Sequence, residues 1–344
     1  MILPRDGYMR VATRYCDTLT GGVLRDELLT VSRQWINRSG ASHRSRIDVI
    51  IDSHAHLWRR KMLPDSILKA YLEPLLVLDG IIDFSRDRED AWPITEVFAE
   101  GLVEAMDGAG VDKAVILPLD FGLVGEPEIG IEDYNQWVFE SCEEYKDRLI
   151  PFVGVDPNRG ERARGLIQRL VKDYDAKGIK VYPATGFRPN EERLGAFWKL
   201  LDDHGMVVLS HSGASWGPLD EGCNHPMFYE EVLERFPSLK VVIAHLGGKW
   251  RLETYELART HDNIYADCSA VQGWLPSEPE VAIDRLKEAA LHMRDRLIFG
   301  ADWPLFDLSY SYLSWIDFVK GEDWASEEVK EKMLGGTMRK VLGL

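Results

Sequence analysis

Two histidines spaced two apart, His54 and His56, stand directly behind an apolar run, Val49-Ile50-Ile51-Asp52-Ser53. Side chains on an extended strand alternate with period two, so both imidazoles point to one face and can reach one cation. Four more polar residues sit in or just behind β-like runs. Lys180 lies inside Gly178–Tyr182, His211 follows Val207-Val208-Leu209-Ser210, His245 follows Val241-Val242-Ile243-Ala244, and Asp302 follows Leu297-Ile298-Phe299-Gly300-Ala301. Neutral imidazole and carboxylate are ordinary ligands of Zn²⁺ and related divalent ions, and three or four of them leave room for a water. A bound cation lowers that water's pKa towards about 7, which supplies hydroxide at neutral pH. A lone histidine in such a place is more often a core residue with satisfied nitrogens. The recurrence at one strand end after another is what points to a metal.

Residues so far apart in sequence meet only if the fold gathers strand ends. From residue 47 onward, β-branched apolar runs alternate with amphipathic stretches, the pattern of parallel strands joined by crossover helices. Eight runs are present: Val49–Ser53, Lys113–Leu117, Ile150–Val155, Gly178–Tyr182, Val207–Ser210, Lys240–Ala244, Ile264–Asp267 and Leu297–Gly300. Helix candidates lie between them at 95–109, 132–145, 161–175, 191–204, 227–235, 252–259 and 279–292, with a last one at 327–342. Eight strands each followed by a helix predict an α/β fold, a (β/α)₈ TIM barrel, whose strand ends form one ring. The 344 residues exceed the roughly 250 that such a barrel needs. The surplus is expected in an N-terminal extension, residues 1–46, ahead of a barrel domain at 47–344. Leu24, Leu28, Leu29, Val31 and Trp35 can share a helical face in that extension. A second surplus, Pro64 to Asp90 after the first strand, is long for a βα connection and is a candidate lid.

A formal net charge of -16 repels phosphate backbones and anionic lipid, which argues against nucleic-acid and membrane partners. Cys16, Cys142, Cys223 and Cys268 are scattered, without a C-x-x-C pair, and read as reduced thiols. With no signal-like start and no apolar run approaching the ~20 residues of a membrane span, the expected location is cytoplasmic. No phosphate-cradling glycine motif and no G-x-S-x-G elbow occurs, so a serine hydrolase is not expected. The expected partner is a small-molecule substrate, and a homodimer is the expected assembly.

Asp52-Ser53-His54-Ala55-His56, Gly178-Ile179-Lys180-Val181-Tyr182-Pro183, Leu209-Ser210-His211-Ser212-Gly213, Ala244-His245-Leu246-Gly247-Gly248 and Phe299-Gly300-Ala301-Asp302-Trp303-Pro304 resemble the strand motifs of the amidohydrolase superfamily. The branch they resemble is the amidohydrolase-related (amidohydrolase 2) group of metal-dependent hydrolases and non-oxidative decarboxylases. The resemblance covers roughly residues 47 to 344. It implies that His54, His56, His211 and Asp302 bind the metal and that Asp302 also shuttles a proton. It implies further that His245 binds a second metal or polarises the substrate. Lys180 falls where binuclear members carry a carboxylated bridging lysine. Three readings of Lys180 stay open: a carbamate bridging two ions, a free ammonium facing an anionic substrate, or a lysine without a role. One ion, with zinc ahead of manganese or iron, and an uncarboxylated Lys180 is the favoured expectation.

Aromatic residues crowd the expected strand-end loops, and Trp58, Tyr182, Trp216 and Trp303 are the candidate substrate-binding residues, with Phe187, Trp274 and Phe306 nearby in sequence. Arg59, Arg60, Arg188, Lys249 and Arg251 are candidate carboxylate partners. Rings of this kind also plug barrel mouths, and most such cations are solvated. Hydrolysis of an amide, lactone or similar C–N or C–O bond, with Asp302, His245 and Lys180 as catalytic groups, ranks first. Decarboxylation of an aromatic or unsaturated acid ranks second because the same ligands serve it. A non-catalytic metabolite-binding barrel ranks last, since buried, unsatisfied polar groups cost stability.

Overall fold

The computed structural model describes residues 49–76, 94–121, 124–307 and 310–344. The extension expected at 1–46 and the 77–90 part of the expected lid lie outside the described residues. Nine strands follow one another among the described residues: β1 Ile51–Ala55, β2 Lys113–Ile116, β3 Leu149–Pro151, β4 Val153–Gly154, β5 Gly178–Val181, β6 Val207–Ser210, β7 Lys240–Ile243, β8 Ile264–Asp267 and β9 Leu297–Ile298. Their order is β1-β2-β3 in one sheet and β4 to β9 in the other, and every pairing is parallel.

The two sheets are arcs of one barrel. The expected third strand, 150–155, is divided at Phe152, whose N–H still donates to the Ile116 carbonyl of β2 at 2.9 Å. Val155 N–H then reaches the Lys180 carbonyl of β5 at 3.3 Å. Chain continuity through Phe152 therefore joins the arcs on one side. On the other side Ser53 N–H donates to Phe299 C=O and His56 N–H to Trp303 C=O, both at 2.9 Å, and Ala55 bridges Trp303 in parallel.

Alternation along each strand separates two cores. Val115 and Leu117, Val207 and Leu209, and Val242 and Ala244 fill the barrel together with Ile51, Phe152 and Ile298. Ala114, Ile116, Ile179, Val181, Val208, Val241 and Ile243 face outward into the layer shared with the helices. On β5 this parity turns Lys180, between Ile179 and Val181, towards the barrel axis, where a cation must find partners.

Eleven α-helices are described: α1 Asp65–Leu76, α2 Ala99–Ala109, α3 Ile131–Glu143, α4 Glu161–Tyr174, α5 Gly195–Asp203, α6 Tyr229–Arg235, α7 Arg251–Thr260, α8 Pro279–Met293, α9 Tyr312–Gly321, α10 Glu327–Glu331 and α11 Thr337–Leu342. In α4, buried Ala163, Leu166, Ile167 and Leu170 recur at the helical spacing that makes an apolar stripe. The helix stops at Asp175, which is left-handed at φ 56°; its N–H returns to the Val171 carbonyl and that of Ala176 to the Leu170 carbonyl. The expected helix at 327–342 is interrupted by a π-helical turn, Lys332–Gly336. Gly335 in that turn lies against the Val49 carbonyl, where an added Cβ would come within 1.9 Å, so the turn lets the helix close on the start of β1. Helix α9, absent from the sequence reading, supplies Tyr312.

Tyr312 clamps the two ends of the barrel. Its hydroxyl donates to Asp52 Oδ2 at 2.7 Å, while Asp52 Oδ1 accepts from the N–H groups of His54 at 2.8 Å and Ala301 at 3.1 Å. Asp52 therefore ties the strand that carries His54 to the loop that carries Asp302. Burial pushes its carboxyl up to about 7, with the Tyr312 hydroxyl and the two N–H groups opposing that rise. Replacing Tyr312 with phenylalanine leaves this buried acceptor one donor short, and the expected cost is about 1–3 kcal/mol. A lowered urea midpoint at unchanged slope is the readout; an unchanged midpoint would mean that the clamp carries no stability.

Candidate metal-centred active site

The local backbone explains why His54 and His56 face inward. The β1–β2 register shifts between Asp52 and Ala55, and such a bulge exchanges the faces of the residues beyond it. Ile51 and, past the irregularity, His54 and His56 thus all turn to the interior. His245 and Asp302 hang from left-handed backbone, at φ 58° and 53°. Non-glycine residues there cost about 1–3 kcal/mol each and persist when the surroundings enforce them. After His245 the turn continues left-handed through Leu246, Gly247 and Gly248. Gly248 lies so close to Gly213 that an added Cβ would sit 2.6 Å from the Gly213 Cα, which locks the loop after β7 onto the loop after β6.

All six polar residues singled out in the sequence line one cleft: His54, His56, Lys180, His211, His245 and Asp302. His54 Nε2 lies 3.6 Å and His56 Nε2 3.0 Å from Asp302 Oδ1. His211 Nδ1 is 3.2 Å from His245 Nε2, and Lys180 Nζ is 3.3 Å from His54 Nε2. One ligand atom each from His54, His56 and Asp302 falls within 4.8 Å of the others, the spacing of a shared cation; His211 borders the cleft outside that close group.

Hydrogen bonds around the rim fix which nitrogens face inward. His56 Nδ1–H donates to the Leu117 carbonyl at 2.7 Å, and His211 Nε2–H to the Ala214 carbonyl at 3.0 Å. His54 Nδ1–H donates to Asp267 Oδ2 at 3.0 Å. A neutral ring so bonded aims an unprotonated nitrogen at the cleft, where His56 Nε2 meets a carboxylate oxygen and His211 Nδ1 meets another imidazole nitrogen. Lone pairs facing one another at about 3 Å are unfavourable unless a cation or a proton lies between them. The donor set therefore fits a divalent ion held by His54, His56 and Asp302, with His211 beside them. Asp267 and the two carbonyls are the outer partners that orient the ligands.

Charge states agree with that fit. Burial, followed by the Lys180 ammonium, drives His54 down to about 3, and burial also lowers His211 and His245, so these three rings are neutral at pH 7. Burial pushes the Asp302 carboxyl up, but His54, His56 and His245 outweigh it and hold the group below the ordinary carboxylate range. Lys180 is lowered by burial to about 8, with Asp302 and Asp267 drawing it back up, and still carries its proton at neutral pH. A second cluster, His54, His245 and Asp267, is also compact enough for a metal. There Asp267 already accepts from His54 Nδ1, His245 N–H and Ser269 N–H, so the cluster reads as a hydrogen-bonded support.

Of the four aromatic residues expected to contact substrate, Trp58 and Tyr182 line the cleft, and Tyr182 stacks on His211 with centroids 4.0 Å apart. Trp303 is buried and Trp216 half-buried, and neither borders the cleft; nor do Phe187, Trp274 and Phe306. Trp303 instead gives its carbonyl to His56 N–H at the barrel seam. The candidate cations also sit elsewhere. Arg60 pairs with Asp65, Lys249 with Glu221 and Arg251 with Glu288, Arg188 lies over Phe228, and Arg59 is exposed. The cleft wall is completed by residues the sequence reading did not select: Leu63, Ile67, Leu68, Leu119, Phe121 and Leu305. Apolar residues of this kind carry no signal that separates a cleft wall from a core. Asp267 did carry one, since it ends its β-run as plainly as the selected residues end theirs.

Among the described residues, no helix is long and apolar enough to cross a membrane.

Comparison with known proteins adds family and fold. Residues 51–344 match a family model described as Amidohydrolase. No curated protein matches the sequence. An uncharacterised TIM-barrel protein from Bordetella bronchiseptica superposes with a TM-score of 0.63 at 21% identity, over 86% of this chain and 98% of the other. A 5-carboxyvanillate decarboxylase from Novosphingobium aromaticivorans, complexed with manganese and 4-hydroxy-3-methoxy-5-nitrobenzoic acid, gives 0.61 at 18% identity over 88% of this chain and 100% of its own. A probable 2-pyrone-4,6-dicarboxylic acid hydrolase from Acinetobacter baumannii with bound citric acid gives 0.54 at 15% identity, over 86% and 99%. Other structures of this fold bear the names of decarboxylases acting on 5-carboxyvanillate and 2,6-dihydroxybenzoate.

Proposed function

The chain belongs to the amidohydrolase family, and from that premise we propose that it is a metal-dependent non-oxidative decarboxylase of a small hydroxylated aromatic acid. The observation that carries the reading is the make-up of the cleft. One buried ammonium, Lys180, and the acceptor Asp302 share the cleft with Trp58, Phe121, Tyr182 and leucine side chains. A flat ring suits that wall, and a carboxylate suits the ammonium. Decarboxylases outnumber hydrolases among the named structures of like fold, which reverses the order in which the sequence ranked the two reactions.

A divalent ion held by His54, His56, His211 and Asp302 would act as a Lewis acid towards the substrate's carboxylate and neighbouring oxygen. The remaining work falls to the chain itself. Lys180 Nζ draws the anionic acid in, and the apolar wall excludes water from the ring face. Asp302 takes the proton of the substrate's hydroxyl group and delivers it to the ring carbon that bears the carboxylate. The bond from that carbon to the carboxylate then breaks, CO₂ leaves, and the bonding electrons restore the aromatic ring as a phenolate. Solvent returns the last proton. Hydrolysis would use the same groups on a carbonyl carbon, and the match to the pyrone hydrolase keeps it as the second reading.

Manganese is the first metal to supply, because the decarboxylase complex of like fold contains it; zinc is the second. Protein loaded with either ion is tested for CO₂ release from ortho- and para-hydroxylated benzoates, and for hydrolysis of lactones and amides. Release of CO₂ with the matching phenol as product is expected. Lactone or amide hydrolysis without CO₂ would transfer the assignment to the hydrolase reading.

A further inference from the structure

We propose that Ser269, anchored on Asp267, is a positioning residue that fixes the tautomer of His245 and so presents its Nε2 to a bound substrate as a hydrogen-bond acceptor. Ser269 is fully buried, two residues beyond β8. Its Oγ lies 2.8 Å from His245 Nδ1 and 3.2 Å from His54 Nδ1, and it is also in close contact with Asp267 Oδ1. The hydroxyl has one hydrogen to place among these neighbours.

The placement follows from counting donors. Asp267 Oδ1 accepts the backbone N–H of His245 and that of Ser269, each at 3.0 Å, and Oδ2 accepts His54 Nδ1–H at 3.0 Å. Asp267 is thus an acceptor on every side, and the Ser269 hydrogen must point at it; otherwise two oxygens would face each other at their closest contact. Ser269 Oγ then has only lone pairs left, and His245 Nδ1 must carry the hydrogen that bonds to it. His245 Nε2 is left bare and faces His211 Nδ1 across the cleft. In this state His245 Nε2 can accept a hydrogen bond from a bound substrate or a water and cannot donate one. The ring is further held by its stacking on His54, with centroids 5.0 Å apart. His54 does not depend on the serine, because its own bond to Asp267 is direct.

The kinetic arm of the test rests on the decarboxylase reading, whereas the spectroscopic and metal arms do not. Zinc-loaded protein labelled with ¹⁵N-histidine is compared with its Ser269→Ala variant by long-range ¹H–¹⁵N correlation, with the His245 signals identified through a His245→Gln variant. In the unsubstituted protein His245 is expected to show a protonated Nδ1 and a bare Nε2. In Ser269→Ala that pattern is expected to collapse towards a mixture, while the zinc content and the His54 signals stay as they were. Turnover is expected to fall about 10- to 100-fold, the usual cost of losing an outer partner, with KM little changed. Ser269→Thr, which keeps the hydroxyl, is expected to restore the His245 pattern and most of the turnover. Should the alanine variant fail to fold, Ser269→Cys, a weaker acceptor of similar size, is read in the same way. An unchanged His245 tautomer in the alanine or cysteine variant would overturn the proposal, as would loss of zinc alongside it. If no acid tested is decarboxylated, the tautomer and zinc results still decide the role of Ser269 by themselves.

Discussion

Exchanging Asp302 for asparagine is expected to lower kcat by about 10²- to 10⁴-fold, the range associated with losing a general acid–base group. The amide keeps the oxygen that lies 3.0 Å from His56 Nε2, so the ion should stay bound, but it removes the only carboxylate that borders the cleft among the described residues. Metal content close to that of the unsubstituted protein, together with collapsed turnover, would separate proton transfer from ligation. Turnover within tenfold of the original would show that Asp302 does not move the proton. The left-handed backbone at Asp302 does not weaken this comparison, because asparagine tolerates that conformation as well as aspartate does.

Removing His54 and His56 together, as a double alanine variant, should have a still larger effect. Two of the four proposed ligands disappear, and with them the outer bonds to Asp267 and the Leu117 carbonyl. The variant is expected to purify with little or no bound manganese or zinc. Turnover should fall by about 10³-fold or more, since Lewis-acid polarisation is worth several kcal/mol and each 1.36 kcal/mol is a factor of ten. Folding need not suffer to the same degree, because the two rings are polar groups brought into a buried site for function, and their loss relieves facing lone pairs. A double variant that retained both its ion and its turnover would remove the HxH pair from the centre.

Much of this site was legible from strand ends. A polar residue in or just behind a Val/Ile/Leu run has no place in a barrel core, so His54, His56, Lys180, His211, His245 and Asp302 could be selected without coordinates, and the topology brings all six to one cleft. The same criterion reaches Asp267, at the end of Ile264–Asp267, which was not among the residues selected. Ser269 was beyond it, since its role arises from the packing of three neighbours and not from its place in a run. The aromatic residues were hard for another reason. Sequence gives a ring's position on a loop but not its direction, and Trp303, whose backbone is bonded to β1, is buried without bordering the cleft.

Fold-level errors have similar causes. The eight runs were correctly read as strands, yet the third is broken at Phe152, where the chain changes partner from β2 to β5. Periodicity reports burial and is silent about a change of partner. The last helix was expected to be continuous, but Gly335 must approach the Val49 carbonyl, and a π-helical turn makes room for it. Both departures are imposed by barrel closure, which is long-range information.

The most direct test is to strip the protein with a chelator, titrate it back with manganese, and follow bound metal by elemental analysis together with turnover. About one ion per chain is expected, with activity rising in proportion to occupancy and the His54/His56 double variant binding none. Full turnover in protein that holds no metal would contradict the account at its centre.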